Sequence, residues 1–147
     1  TFFVVHVTDT INAPGQMVTV TPALSDITYH MPVNALQPFT DSLQINDARI
    51  LGAFTENGII QFVLSDFDTT SGKDCIYLGI ADSTSGWHVS GHLFVHPQYD
   101  VNYPNISYSG NNSLDNRSII TLLYSAPTAN QGVAAVAFDG VNQFSGT

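Results

Sequence analysis

Short apolar runs separated by turn residues fill this chain, and that rhythm constrains its fold more than any other feature. Residues typical of strands, β-branched and aromatic, make up the runs 2–7, 17–21, 59–64, 75–81, 87–96 and 119–124. No stretch carries the repeating apolar stripe of a helix over three turns. The sequence therefore predicts an all-β fold, a single antiparallel β-sandwich over residues 1–147, jelly-roll-like and with about eight to ten strands.

Three local patterns add detail to this prediction. Asn57-Gly58 stands between the apolar runs 43–54 and 59–64, and both residues tolerate the positive φ that a type I′ hairpin turn needs. The run 75–81 (CIYLGIA) is apolar almost throughout, which predicts a strand buried on both faces. In 87–96, Gly91 is a candidate β-bulge.

Alternation in residues 26–33 places Ile27, Tyr29 and Met31 on one face, which predicts a half-buried strand. Residues 97–118, rich in Asn, Tyr, Ser and Pro, are predicted to be the longest irregular region.

The end of the chain carries a competing signal. We predict a strand over 133–138, joined to the strand 119–124 through Pro127 and a turn at 130–132. A helix over 126–138 is the alternative, because Ala is a strong helix former. The polar residues 139–147 are predicted to form a loose tail.

The charge balance excludes several kinds of partner. Three cationic side chains stand against twelve acidic ones, giving a formal net charge of −9. Binding to nucleic acids and to anionic membranes depends on Lys and Arg, so neither partner is expected. No run approaches the roughly 20 apolar residues of a membrane-spanning helix, so membrane insertion is not expected either. Charged residues make up 10% of the chain, against about 25% in typical domains. We therefore expect an extracellular, cell-surface or virion location.

Residues 66–74 (DFDTTSGKD) place oxygen donors at alternate positions, as calcium-binding loops do. A calcium site on Asp66, Asp68, Thr70 and Asp74 is one prediction; the competing one is a solvated turn whose side chains bond their own backbone. No other cofactor is predicted.

His88, His92 and His96 recur every fourth residue, but on a strand they would be roughly 13 Å apart in succession, too far for one metal ion. A polar row of histidines is the preferred interpretation. The single cysteine, Cys75, lies in an apolar run and is predicted to be a small core residue.

Residues of the types that commonly bind ligands are concentrated after residue 86. Trp87 and His88, followed by Tyr99, Tyr103 and Tyr108 in an Asn- and Ser-rich context, resemble the composition of adaptable binding loops and form a candidate ligand site. Glycosylation sequons begin at Asn105, Asn111 and Asn116.

No catalytic motif supports an enzyme, since the nucleophile elbow, the P-loop and the dinucleotide fingerprint are all absent from the sequence. The preferred hypothesis is a non-catalytic structural or binding domain of a larger assembly, such as a capsid surface, fibre tip or filament subunit. The alternatives are a lectin-like carbohydrate-binding module and a secreted hydrolase. The expected partners are further copies of the chain, in a homo-oligomer or polymer, with a glycan or cell-surface receptor as the second class.

Three features motivate the assembly hypothesis. The apolar strands lack the basic and Pro residues that protect edges. Residues 1–7 could add as a strand to a partner. The start at Thr1 leads us to expect a processed or excised domain. In composition and strand rhythm the chain is similar to viral protruding domains, but no family motif is matched, so no functional residue is carried over.

Overall fold

The computed structural model describes residues 1–8, 17–45, 48–109, 118–138 and 143–146. These residues form an all-β, antiparallel fold, as predicted. Two one-turn 3₁₀ helices span Pro38–Thr40 and Ser83–Ser85. The strands are β1 (Phe2–Thr8), β2 (Met17–Ala23), β3 (Ala35–Leu36), β4 (Ser42–Leu43), β5 (Ile50–Glu56), β6 (Ile59–Asp68), β7 (Lys73–Asp82), β8 (His88–Phe94), β9 (Asp100–Tyr108), β10 (Ser118–Ala126), β11 (Ala129–Phe138) and β12 (Gln143–Gly146).

Two four-stranded sheets make up the body of the molecule, one in the order β5-β6-β7-β8 and the other β12-β11-β10-β9. Their facing sides share one apolar core, to which Val63 and Leu78 contribute from the first sheet and Ile120 and Val136 from the second. Consecutive strands are neighbours within each of these sheets, whereas a jelly roll is built from Greek-key connections. The sandwich-like architecture is therefore supported, and the jelly-roll connectivity is not confirmed.

The β5–β8 sheet is covered on both faces. Its second face carries another apolar cluster, including Phe62, Leu64 and Tyr77, against which the N-terminal residues pack. Because neither face of β6 and β7 meets water, both strands are apolar over most of their length. The prediction that 75–81 is buried on both faces is confirmed.

The predicted hairpin is also confirmed. Strands β5 and β6 pair up to Glu56 and Ile59, and the turn between them holds Asn57 at φ 51° and Gly58 at φ 78°. Both residues occupy the left-handed region that a type I′ turn requires. Gly91, in contrast, is not a bulge, because β7 and β8 pair in unbroken register through Gly79 and Gly91.

The segment 26–33 is not a strand. Ser25 makes one isolated bridge to Val89, and the residues that follow have no ladder. Ile27 and Tyr29 do face the apolar cluster, but Met31 is 61% exposed. We call residues 26–36, which include β3, the strap.

The prediction that 97–118 is irregular is wrong over residues 100–108, which form β9 at an edge of its sheet. Pro104 made this segment look like a loop. The register between β9 and β10 shifts beside it, between Thr121 and Leu123. A proline is tolerated at an edge strand next to a bulge, since no ladder hydrogen bond is required of its nitrogen there.

Residues 129–138 are strand β11 and not the alternative helix. The turn into β11 lies at 127–128, so Pro127 is in the connection as predicted, whereas residues 130–132 belong to the strand. Gln143–Gly146, inside the segment predicted to be a loose tail, pairs with β11 as β12. No helix among the described residues is long and apolar enough to cross a membrane.

Candidate functional site

The N-terminal hairpin is the most unusual surface of the molecule. Strands β1 and β2 pair in continuous register from Phe2 with Ala23 to Thr8 with Met17, and within the described residues they pair only with each other. We call this hairpin the arm. Each of its strands therefore has one edge whose backbone groups make no ladder in the described part of the chain.

Alternation along the arm divides its side chains between two faces. Phe2 and Val4 are half-buried and point toward the body, where they pack on the second apolar cluster. The opposite face, which we call the outer face, consists of apolar residues that stay in solvent: Phe3, Val5, Val7, Val18 and Val20, each exposed by 55–64%. Cross-strand pairing places Val5 opposite Val20 and Val7 opposite Val18.

The base of the arm is anchored by aromatic rings. The Phe2 ring lies 4.7 Å from that of Phe62, 5.0 Å from that of Tyr29 and 5.7 Å from that of Tyr77, between centroids. The Tyr77 hydroxyl shares a 2.6 Å hydrogen bond with that of Ser25, the second residue after the arm. Ring pairs at these distances are favourable beyond the area they bury, so the arm is fixed at one end.

Beyond its base the arm stands away from the sheet. An open space of about 370 Å³ lies beside its strands, between residues such as His6, Thr19 and Thr21 of the arm and Ile60 and Trp87 of the body. The packing of the arm therefore weakens from Phe2 outward along the hairpin.

The two strands of the arm carry no Asp, Glu, Lys or Arg. Residues 1–8 and 17–23 contain none of the 15 charged side chains of the protein, so the net charge of −9 resides elsewhere. The side chains of these two strands therefore add no like-charge repulsion when two arms approach each other.

The predicted ligand residues do not converge on one site. Trp87, at φ 65°, lines the space beneath the arm. His88 is exposed and lies opposite Asp82 in the ladder between β7 and β8. The Tyr103 hydroxyl donates to the carbonyl of Gln44, and the Tyr108 ring lies 5.9 Å from that of Phe54. Tyr99 belongs to a different surface, described below.

The four predicted calcium ligands are not brought together either. Asp66 pairs with Cys75 and Phe67 with Asp74, so Asp66 and Asp74 point to opposite faces of the sheet. The carboxylate of Asp68 accepts hydrogen bonds from the backbone N–H groups of Thr70, at 3.1 Å, and Ser71, at 2.9 Å. The loop is thus a self-bonded turn, and no group of three or more His, Cys, Asp or Glu that could hold a metal occurs among the described residues.

Asp66 and Asp74 instead hold the strap. The N–H of His30 donates to Oδ1 of Asp66, and the N–H of Val33 donates to Oδ1 of Asp74 at 2.8 Å. Asp100 extends the set, accepting from the N–H of Asp74 at 3.1 Å and from that of Leu36 at 3.4 Å. These carboxylates hold the part of the strap that has no strand ladder. The sequence pattern did not predict these contacts, since His30 is 36 residues from Asp66 and Val33 is 41 residues from Asp74.

Burial controls the ionisation of these acids. Asp66 and Asp74 are fully buried, and in each the second carboxylate oxygen has no hydrogen-bond partner among the described residues. Burial raises the pKa of Asp74 to about 7, against the opposing hydrogen bond from Val33, and the charge of Asp100 adds to the rise. Burial also raises the pKa of Asp66.

The histidines spaced by four have separate surroundings. His88 is exposed, the His92 ring lies 5.1 Å from that of Phe138, and His96 follows β8 and contacts Tyr99. Cys75 is fully buried, as predicted, and burial raises the pKa of its thiol far above the ordinary value.

Of the three sequons, only the first falls on described residues throughout. Asn105 is exposed on β9, and its side-chain oxygen accepts from the N–H of Ile106 at 2.8 Å. Asn111 and Asn116 lie outside the described residues.

No family model, no curated protein and no solved structure matches this chain. Function has therefore to be inferred from the chemistry of the chain itself.

Proposed function

We propose that this protein is a non-catalytic structural subunit of a larger assembly, in which the outer face of the arm contacts another copy of the chain. One observation carries the proposal: five apolar side chains on two paired strands face solvent together. Contiguous exposed apolar surface on a soluble protein is typical of an interaction site. An alternating strand normally turns its polar residues outward.

The edges of the arm support the same proposal. Neither outer edge of the hairpin pairs within the described residues, and neither strand carries a charged side chain that would block a further strand. A second copy can therefore meet the arm by packing on its outer face and by strand addition at its edge. The scarcity of Lys and Arg supports an assembly outside the cell or in a virion.

The experiment compares oligomeric state between matched variants, using light scattering over a dilution series. In Val5→Thr/Val20→Thr, the paired valines become β-branched polar residues, which keeps the strand propensity and shape of the arm. We expect wild type to form a defined oligomer. Each substitution should weaken association about tenfold, which corresponds to about 1.4 kcal/mol.

The matched control is Ile119→Thr/Val133→Thr, since both side chains are also exposed on strands but lie on the β9–β12 sheet. This control should retain the mass of wild type. A wild-type protein that is monomeric at every concentration, or a control that dissociates as strongly as the arm variant, would refute the proposal.

A further inference from the structure

A second feature lies away from the arm, at the β9–β11 end of the sandwich core. A cavity of about 110 Å³ opens there, lined by aliphatic side chains from β9, β10 and β11, by Phe94 at the end of β8 and by three further rings near its mouth. The aliphatic floor is made by Val101, Leu122 and Val136, which also belong to the apolar core between the two sheets. The rings are those of His96, Tyr99 and Tyr124.

These three rings form a connected rim. The centroids of His96 and Tyr99 are 4.7 Å apart, and those of Tyr99 and Tyr124 are 5.0 Å apart. Gly132, opposite Tyr124 on β11, leaves room for that ring, because a Cβ atom there would collide with it. The position of Tyr124 over the strand thus depends on a glycine.

Hydrogen bonds orient His96. Its Nδ1 atom accepts from the backbone N–H groups of Gln98, at 3.2 Å, and Tyr99, at 3.3 Å. In the neutral ring the proton is consequently on Nε2, which leaves a donor on the imidazole. Within the described part of the chain, the hydroxyls of Tyr99 and Tyr124 make no hydrogen bond with the protein, so the rim offers polar groups beside an apolar floor.

The volume of the cavity and the charge of the protein limit which ligands fit. An apolar protein cavity of about 150 Å³ holds a benzene molecule, whereas sites for drug-sized ligands measure about 300–1,000 Å³. The cavity therefore suits one small ring. The aliphatic floor offers nothing to an ion, and the net charge of −9 disfavours anions.

We propose that this pocket binds a neutral single-ring aromatic compound with one hydroxyl group, that is, a simple phenol. The ring would pack on the aliphatic floor, and the hydroxyl would bond at the rim formed by His96 and the two tyrosines. This site is independent of the arm, so its failure would leave the proposed assembly function untouched.

The test follows the methyl signals of Val101, Leu122 and Val136 by NMR while phenol, toluene or benzoate is added to the whole chain. We expect saturable shifts with phenol, weaker binding of toluene, which lacks the hydroxyl, and no binding of benzoate, which is charged. Methyl shifts that do not saturate, or equal binding of all three probes, would overturn the proposal.

Variants provide the matched comparison. Ala134 lines the cavity, and its neighbour Ala135 is exposed on the opposite face of β11. Ala134→Leu fills the space and should weaken phenol binding more than tenfold, whereas Ala135→Leu should leave it unchanged. Should Ala134→Leu not fold, Tyr99→Phe with Tyr124→Phe provides the second test. Because the Nε2–H of His96 remains at the rim, removing both hydroxyls should reduce the preference for phenol over toluene without abolishing it. An unchanged phenol preference would overturn the assignment of the two tyrosines to the rim.

Discussion

Replacing Asp74 by Asn is expected to stabilise the protein at pH 8 by on the order of 3 kcal/mol, because it removes a buried charge. Asp74 is fully buried, and burial raises its pKa to about 7. The amide oxygen of Asn can still accept the hydrogen bond from the N–H of Val33. The substitution therefore keeps the attachment of the strap and removes the negative charge next to Asp100.

The raised pKa also sets the direction in which the stability contributed by Asp74 changes with pH. The carboxyl of Asp74 ionises near pH 4 in the unfolded chain and near pH 7 in the folded one, so the folded state binds more protons between these values. Its contribution to stability is complete below about pH 4 and is lost as the pH rises to about 7. Urea unfolding at several pH values should show this decline in wild type, and Asp74→Asn should lack this part of it.

Asp68→Asn is the control with the opposite sign. Asp68 is the last residue of β6, on the other side of the turn that leads into β7 and Asp74. Hydrogen bonds from Ser71 and Thr70 hold the pKa of Asp68 below the ordinary value. Its removal should lower stability at neutral pH and have little effect at low pH. If the wild-type and Asp74→Asn curves run parallel from pH 4 to pH 8, Asp74 does not carry the burial cost that we assign to it.

The second large effect is expected from Gly79→Ala. Gly79 pairs with Phe62 across β6 and β7, and a Cβ atom at this glycine would overlap the phenyl ring. That ring is 4% exposed and packs against Phe2 and Tyr77, so it cannot move without displacing the anchor of the arm. Overpacking of this kind destabilises by about 1–3 kcal/mol, and we expect the upper end here.

A double-mutant cycle, measured by urea unfolding, distinguishes overpacking against Phe62 from a destabilisation that any alanine at this position of the strand would cause. In a Phe62→Leu background, the branched side chain leaves more room above Gly79, so adding Gly79→Ala should then destabilise much less than it does in wild type. Additive losses in the double variant would contradict the proposed collision with the Phe62 ring.

Much of the fold was readable from local chemistry. The Asn57-Gly58 turn was recognised because its backbone requirement is met by those two residues alone. The burial of β7 was recognised because both of its faces are apolar in sequence. Strand β9 was missed, since Pro104 reads as a loop until its place at an edge beside a bulge is known.

The candidate sites were less readable. The sequence grouped Asp66 and Asp74 as ligands of one ion, yet strand pairing turns them to opposite faces, where each caps a different part of the strap. Tyr99 was proposed together with Trp87, but it lies with Tyr124 at the sandwich pocket and Trp87 lies beneath the arm.

By itself, the sequence determined the class of fold and the hairpin at Asn57-Gly58, because backbone preferences and apolar periodicity are properties of neighbouring residues. Only the tertiary structure decided that the β5–β8 sheet is covered on both faces, that carboxylates far apart in sequence hold the strap, and that the arm turns its valines toward solvent. Those outcomes depend on which side chains meet across strands and between layers, and long-range contacts of this kind leave no periodic trace along one chain.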